Sequence, residues 1–265
     1  MKHILVPIGN RKSGFNTLMY AVEFAKTFDA KLYLAHVYSS TTVSGSFMDI
    51  DELLLKQTKE LLKEHLDQVD TTGVKIQIVP MKGNDIQSSL GLIIKEYDID
   101  LIIASSKTDD SDKEYFIGKI TGSLIKDTPT PVLIIPKTAS FKPVKRILMT
   151  LRSGSFKSIS TLDPLISIQN KYNSKIHLLL VKTPKFKPED AELDDTLKSM
   201  IEKQINTRNE TVYQGVLEYL HEEDPDVLCV VRRKRGFFSK LWENDRIKKI
   251  DFESVVPLLI LKGLS

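Results

Sequence analysis

Few side chains in this sequence have the reach for proton transfer, metal ligation or nucleophilic attack: His3, His36, His65, His177, His221 and Cys229. No histidine stands at a spacing from serine, cysteine, aspartate or a second histidine that would assemble a triad or a metal-binding helix face. His36 and His177 lie in two similar apolar runs and are read as matched strand positions, which makes them fold residues rather than acid–base catalysts. Cys229 sits within an apolar run where a thiol packs and stays inert. A lone cysteine makes neither an internal disulfide nor a zinc cluster, as suits a reducing compartment. No catalytic residue and no metal ligand is assigned.

Chemistry through charge is better represented. Arg232, Arg233, Lys234 and Arg235 are consecutive cations, followed by Phe237, Phe238 and Trp242. Such a run can grip a phosphate, an acidic headgroup or a partner carboxylate through charge-assisted bonds, with the aromatics anchoring loop or ligand. The opposite case is Thr108–Asp112, which brings Asp109, Asp110 and Asp112 onto one loop; these carboxylates are read as solvated rather than as a divalent-cation site. Over the whole chain the formal net charge is +3, with 17 basic against 18 acidic residues before Val144 and 21 against 17 after it. That asymmetry falls short of the concentrated basic bias of a nucleic-acid binder. The longest apolar run, Val255–Leu261, is broken by Pro257 and far shorter than the ~20 residues of a membrane span. The first residues are too short an apolar stretch for a signal peptide, so a cytoplasmic protein is expected.

The elements that must position these groups repeat. Lys2–Ile8 corresponds to Lys145–Leu151 at an offset of 143, and Lys31–Val37 to Lys175–Val181 at 144. Asp100–Ile103 matches Asp226–Cys229, and Pro131–Ile135 matches Pro257–Leu261, both at 126, so the second copy is 18 residues shorter in its middle. Each matched segment is a short apolar run closed by turn-prone residues, as buried parallel strands are. Helical periodicity lies between them: Phe15, Leu18, Val22, Ala25 and Phe28 share one face, and Leu54, Leu61, Leu62, His65 and Val69 another. Helices over 85–97 and 115–126 lead into the fourth and fifth strands. Strands alternating with helices predict an α/β fold of two tandem domains, each a five-stranded parallel sheet with helices on both faces. The first is placed at 1–138 and the second at 143–265, with the Lys137–Pro143 segment as linker. The apolar fifth strands, Val132–Ile135 and Leu258–Leu261, need cover and are expected to pack on each other.

"KHILVPIGN", "LYLAHVY", "DIDLIIASSK" and "TPTPVLIIP", in this order and spacing, resemble the universal stress protein family, and its tandem form in particular. The resemblance implies the adenine nucleotide alpha hydrolase-like fold, strand order 3-2-1-4-5, and two copies joined as a pseudo-dimer, with further homo-oligomers an open expectation. That order opens a crevice at the carboxyl ends of the first and fourth strands, where open α/β sheets bind ligands. In the first copy Pro7, Ile8, Gly9, Asn10, Ser105, Ser106 and Lys107 should line it, with Val37 at the end of the second strand as a further candidate.

Nucleotide-binding relatives carry Gly-x2-Gly-x9-Gly followed by Ser or Thr after the fourth strand, and an Asp after the first. Those glycines let backbone N–H groups approach phosphate at a helix N-terminus. Here the four positions hold Ser105, Thr108, Gly118 and Lys119, and Gly9 replaces the Asp. In the second copy they hold Val231, Lys234, Asn244 and Asp245, and Arg152 replaces the Asp. The expectation is a stress-response binding or signalling protein with degenerate nucleotide sites, no bound cofactor, and an anionic ligand or protein partner at the basic run. An ATP-binding protein with slow hydrolysis is the alternative.

Overall fold

Apolar runs too continuous for a half-exposed strand become the centre of one sheet in the computed structural model of the chain. The structure describes residues 1–9, 14–39, 50–106, 115–154, 156, 158–232, 247–248 and 254–262. In the first half, β1 (His3–Pro7), β2 (Lys31–Tyr38), β3 (Ile76–Lys82), β4 (Leu101–Ser105) and β6 (Val132–Ile135) alternate with α1 (Phe15–Phe28), α2 (Ile50–Asp67), α3 (Ile86–Glu96) and α4 (Lys119–Asp127). A short strand, β5 (Tyr115–Ile117), precedes α4. The second half runs β7 (Arg146–Leu151), α5 (Asp163–Tyr172), β8 (Lys175–Lys182), α6 (Asp195–Met200), β9 (Ile201–Arg208), α7 (Val212–Glu223), β10 (Val227–Arg232), β11 (Ile247–Lys248) and β12 (Leu258–Lys262).

Ten strands form one sheet in the order β3-β2-β1-β4-β6-β12-β10-β7-β8-β9. Each half is parallel and carries the expected order about its own first strand. The halves meet where β12 runs antiparallel to β6, with Leu258 opposite Ile134 and Ile260 opposite Val132. Both edge strands are thereby paired, which removes the exposed apolar edges that invite aggregation. The two faces bury separate apolar layers. Leu18, Phe24, Leu62, Leu165 and Leu197 belong to the layer under α1, α2, α5 and α6, whereas Leu90, Ile93, Leu124 and Val216 belong to the layer under α3, α4 and α7.

One boundary differs from the sequence reading. The helix expected over 115–126 begins only at Lys119, because Tyr115–Ile117 pairs antiparallel with β11 from the other half. Aromatic and β-branched residues favour that pairing, and Gly118 ends it as the N-cap of α4. In the shortened middle of the second half, the eighteen-residue α2 has only the six-residue α6 as its counterpart. Among the described residues, no helix is long and apolar enough to cross a membrane.

The linker segment is tied down. Asn16 Nδ2 donates to Pro136 O at 3.2 Å and Ala139 O at 2.8 Å, and Phe141 packs edge-on against Tyr20 at 5.2 Å.

Candidate functional site

The crevice of the first half forms where β1 and β4 end side by side. Pro7 is the last residue of β1 and Ser105 the last of β4, while Gly9, two residues beyond β1, is half-buried. The loop after β1 is fixed from the neighbouring strand: Ile8 N donates to Ala35 O at 2.8 Å, and His36 Nδ1 lies 2.8 Å from Ile8 O. Val37 stands one residue farther along β2, half-buried against the α3–α4 layer.

Across the crevice, Ser105 and Ser106 are buried, and their backbone is used internally. Thr121 Oγ1 donates to Ser105 O at 2.8 Å, Gly118 N to Ser106 O at 2.9 Å, and Ser106 N to Ile135 O at 3.2 Å. The N–H of Gly118, the one glycine kept from the family's spacing, is thus directed to the end of β4. Gly118 supplies no side-chain cap to α4. Pro7, Gly9, Ser105 and Gly118 therefore lie at the carboxyl ends of the expected strands. Asn10, Lys107 and the acidic stretch Thr108–Asp112 lie outside the described residues.

In the second half the corresponding mouth is occupied by the chain itself. Gly154 N donates to Asp190 O at 3.0 Å, and a Cβ on Gly154 would fall 2.4 Å from Glu192 O. Only glycine permits that approach of two backbones. Arg152, which stands where relatives carry the Asp, donates to Lys185 O at 3.1 Å. Thr150, the counterpart of Pro7, is 3% exposed, and its Oγ1 has no hydrogen-bond partner among the described residues.

Of the basic run, Arg232 alone is described; Arg233, Lys234 and Arg235 lie outside the described residues. Arg232 pairs in register with Lys262 of β12, and both side chains reach the carboxyl end of α4 in the other half. Arg232 Nη1 donates to Thr128 O at 3.2 Å, and Lys262 Nζ donates to Leu124 O at 3.2 Å and to Ile125 O. Leu124 O also accepts from Thr128 N at 3.4 Å and Thr128 Oγ1 at 2.8 Å, so these donors add to the closure of the last turn, and the Arg232 guanidinium complements the negative end of the helix dipole. Burial, with the neighbouring Arg232 charge adding to it, pushes the Lys262 amine down to about 6. Burial also lowers the Arg232 guanidinium.

His36 and His177 do not occupy matched positions. His177 is paired with Leu148 of β7, as Tyr33 is with Leu5 of β1, whereas His36 lies three residues further along β2. Strand alternation therefore puts the two histidines on opposite faces of the sheet. An arrangement that the sequence reading did not find surrounds His177: its Nδ1 bonds Glu223 Oε2, and Lys203 Nζ donates to Glu223 Oε1 at 2.6 Å. Glu223 is 5% exposed. Burial raises its carboxyl, but the bonds from Lys203 and His177 outweigh burial and hold it below the usual glutamate range. The first half has an aromatic pair at the same place, where the tilted rings of Tyr33 and Tyr97 lie 4.6 Å apart. The signal lay in the repeat: at offsets of 144 and 126, His177 and Glu223 replace two tyrosines. This network sits toward the amino ends of the strands, away from the crevice. Burial raises the Cys229 thiol, which is fully buried in β10. Among the described residues, no group of three or more His, Cys, Asp or Glu side chains is placed to hold a metal.

The sequence model of the Universal stress protein family matches residues 1–136. A universal stress protein of Methanocaldococcus jannaschii is 26% identical over 141 residues, which are 51% of this chain and 82% of that protein. Among solved structures, a universal stress protein from Archaeoglobus fulgidus DSM 4304 gives a TM-score of 0.70 at 18% identity and covers 98% of each chain. A functionally unknown protein from Pseudomonas aeruginosa PAO1 gives 0.60 at 16% identity, covering 99% of this chain and 93% of that one. At these identities the structural likeness speaks for the fold, and it extends over both halves.

Proposed function

The chain belongs to the universal stress protein family, and from that premise we propose that it is a non-catalytic, cytoplasmic stress-response protein that binds or signals through degenerate nucleotide sites. The observation that carries this reading is the fate of Gly118, whose N–H donates to Ser106 O. A phosphate cradle needs several backbone N–H groups converging on one anion. Here one of them closes the loop instead, and Gly9 offers no carboxylate for a ribose. Among the described residues, Gly9 and Gly118 do not supply the groups that would hold a triphosphate. In the second half, the close contact of Gly154 with Glu192 leaves even less room. Arg233, Lys234 and Arg235 are proposed to meet an anionic ligand or protein partner, while Arg232 serves α4.

One observation favours the alternative, an ATP-binding protein with slow hydrolysis. The N-cap Gly118 gives α4 no side-chain hydrogen bond, and an uncapped helix start favours anions. Titration of the full chain with Mg-ATP, read by calorimetry and by phosphate release, separates the two. Our reading expects a dissociation constant weaker than about 0.1 mM and no phosphate release. A low-micromolar constant abolished by Gly118→Asp would establish the alternative.

A further inference from the structure

A cavity of about 710 Å³ opens at the carboxyl ends of β8 and β9, beside the first turn of α7. It lies on the side of β7 away from β10, so it is not the crevice described above. Its volume falls within the range of sites for small molecules, roughly 300–1,000 Å³. Lys182 and Arg208 line it and are directly opposed in the β8·β9 register. Like charges facing each other across adjacent strands destabilise the pair, so such an arrangement calls for an anion.

The first half shows how that call is usually answered. There the same two register positions are Tyr38 and Lys82, and the Lys82 ammonium is ion-paired with Asp51 of α2. The second half lacks the long helix that supplies this carboxylate, and the shorter α6 does not replace it. Among the described residues, neither Lys182 nor Arg208 makes an ion pair. Among the described residues, no carboxylate of α6 pairs with Lys182 or Arg208 as Asp51 does with Lys82, and the cavity stands at the corresponding strand ends.

Two further features define an occupant. Phe186 lines the cavity, and the Lys182 ammonium stands 5.7 Å from its ring centroid, so a flat apolar surface adjoins the cations. At the start of α7, Gln214 also lines the cavity; its Oε1 accepts from Thr211 N at 3.1 Å within the capping box. Glu210 and Glu218 complete the rim, the latter accepting from Asn209 Nδ2 at 2.8 Å. They disfavour a bare polyanion and confine negative charge to the Lys182–Arg208 side. From this juxtaposition we propose that the cavity is a binding site for a small organic anion bearing a flat ring, with the anionic group between Lys182 and Arg208 and the ring against Phe186.

The proposal is independent of the first-half crevice and of the ATP question. Its test is a titration of the full 15N-labelled chain with phenyl phosphate, with inorganic phosphate and neutral benzamide as controls. Phenyl phosphate is expected to shift the amide signals of residues 182, 183, 185 and 186 and of 208–214. Its affinity should fall about tenfold or more in Lys182→Ala and in Arg208→Ala, the loss of one charge-assisted contact. Phe186→Ala should weaken phenyl phosphate but leave inorganic phosphate unchanged. Because Arg208 is exposed and faces a like charge, its removal should not lower the unfolding midpoint. Perturbations elsewhere only, equal affinity in the charge variants, or benzamide binding as tightly as phenyl phosphate would each overturn the proposal.

Discussion

Asp100 and Asp226 do the same work in the two halves: each carboxylate gathers two successive backbone N–H groups at the start of its own first strand. Asp100 Oδ2 accepts from Lys2 N at 2.6 Å and His3 N at 2.9 Å, and Asp226 Oδ2 from Lys145 N at 2.7 Å and Arg146 N at 2.8 Å. This clamp sets where β1 and β7 begin against β4 and β10, and so where they end at the crevice. Asp226 also pairs with Lys142 Nζ at 2.7 Å.

Asp226→Ala should therefore destabilise the chain by about 1–3 kcal/mol, because two strand-start donors and an ammonium lose a common acceptor. Burial raises the Asp226 carboxyl, but Lys142 and the two N–H groups prevail and hold it below its ordinary value of 3.8. With the folded value depressed, its contribution is complete above pH ~4 and is lost as pH falls further. Denaturant unfolding between pH 2 and 7 checks both points. A variant as stable as the parent at pH 7 would contradict the clamp.

Glu223→Ala should cost about 1–3 kcal/mol at pH 7, since the half-buried His177 loses its acceptor and Lys203 its counter-charge. The Glu223 carboxyl lies below its ordinary 4.5, so the difference between parent and variant should shrink as pH falls below that value. Thermal melts from pH 3 to 7 measure it. A difference constant across this range would mean that ionisation plays no part in the network.

Lys262→Met should remove a pH dependence rather than add one. The folded amine sits at about 6 and its ordinary value is 10.5, so between them the unfolded chain binds the proton more readily and stability rises with pH. The limiting slope for one proton is about 1.4 kcal/mol per pH unit. The variant should be more stable than the parent near pH 6, with the gap closing toward pH 9, in urea titrations. A variant less stable at every pH would show that the bonds to Leu124 and Ile125 outweigh desolvation.

Gly154→Ala should destabilise by about 1–3 kcal/mol, because the added methyl meets the Glu192 carbonyl oxygen and the Leu193 Cα as well as the movable Leu193 side chain. Hydrogen exchange should report the strain locally, as faster exchange at 189–193. Unchanged exchange there would remove the contact between Gly154 and Glu192 from the account.

The repeat and the central strands were legible because parallel strands, buried on both faces, read as continuous apolar runs such as Asp100–Ile103 and Val227–Val231, whereas the edge strand β9, Ile201–Arg208, is mostly polar and exposed and gave no such run. Tyr115–Ile117 was misread as helix, since its strand partner lies more than a hundred residues away and pairing at that range leaves no local pattern. The crevice was placed by strand order, yet Gly118's bond to Ser106 could not be, because donor and acceptor meet only through the fold. His177 was matched with His36 by residue type, where register assigns it to Tyr33. The cavity at Lys182 and Arg208 was invisible for a different reason: it depends on an ion pair to a helix that has no counterpart among the described residues of the second half, and an omission has no residue to mark it.

The antiparallel seam of β6 with β12 carries a consequence for stoichiometry. Two separate chains joined in this way would part on dilution, and any substitution would appear on both sides of their axis at once. Here the partner edge is held at the effective concentration of an intramolecular contact, so the seam's population does not depend on protein concentration. Each residue also exists once. The aromatic pair Tyr33–Tyr97 can stand opposite an ionic His177–Glu223, and a lost helix can open a cavity in one half while the other keeps its ion pair closed. A single covalent assembly thus presents two unlike surfaces in a fixed one-to-one ratio.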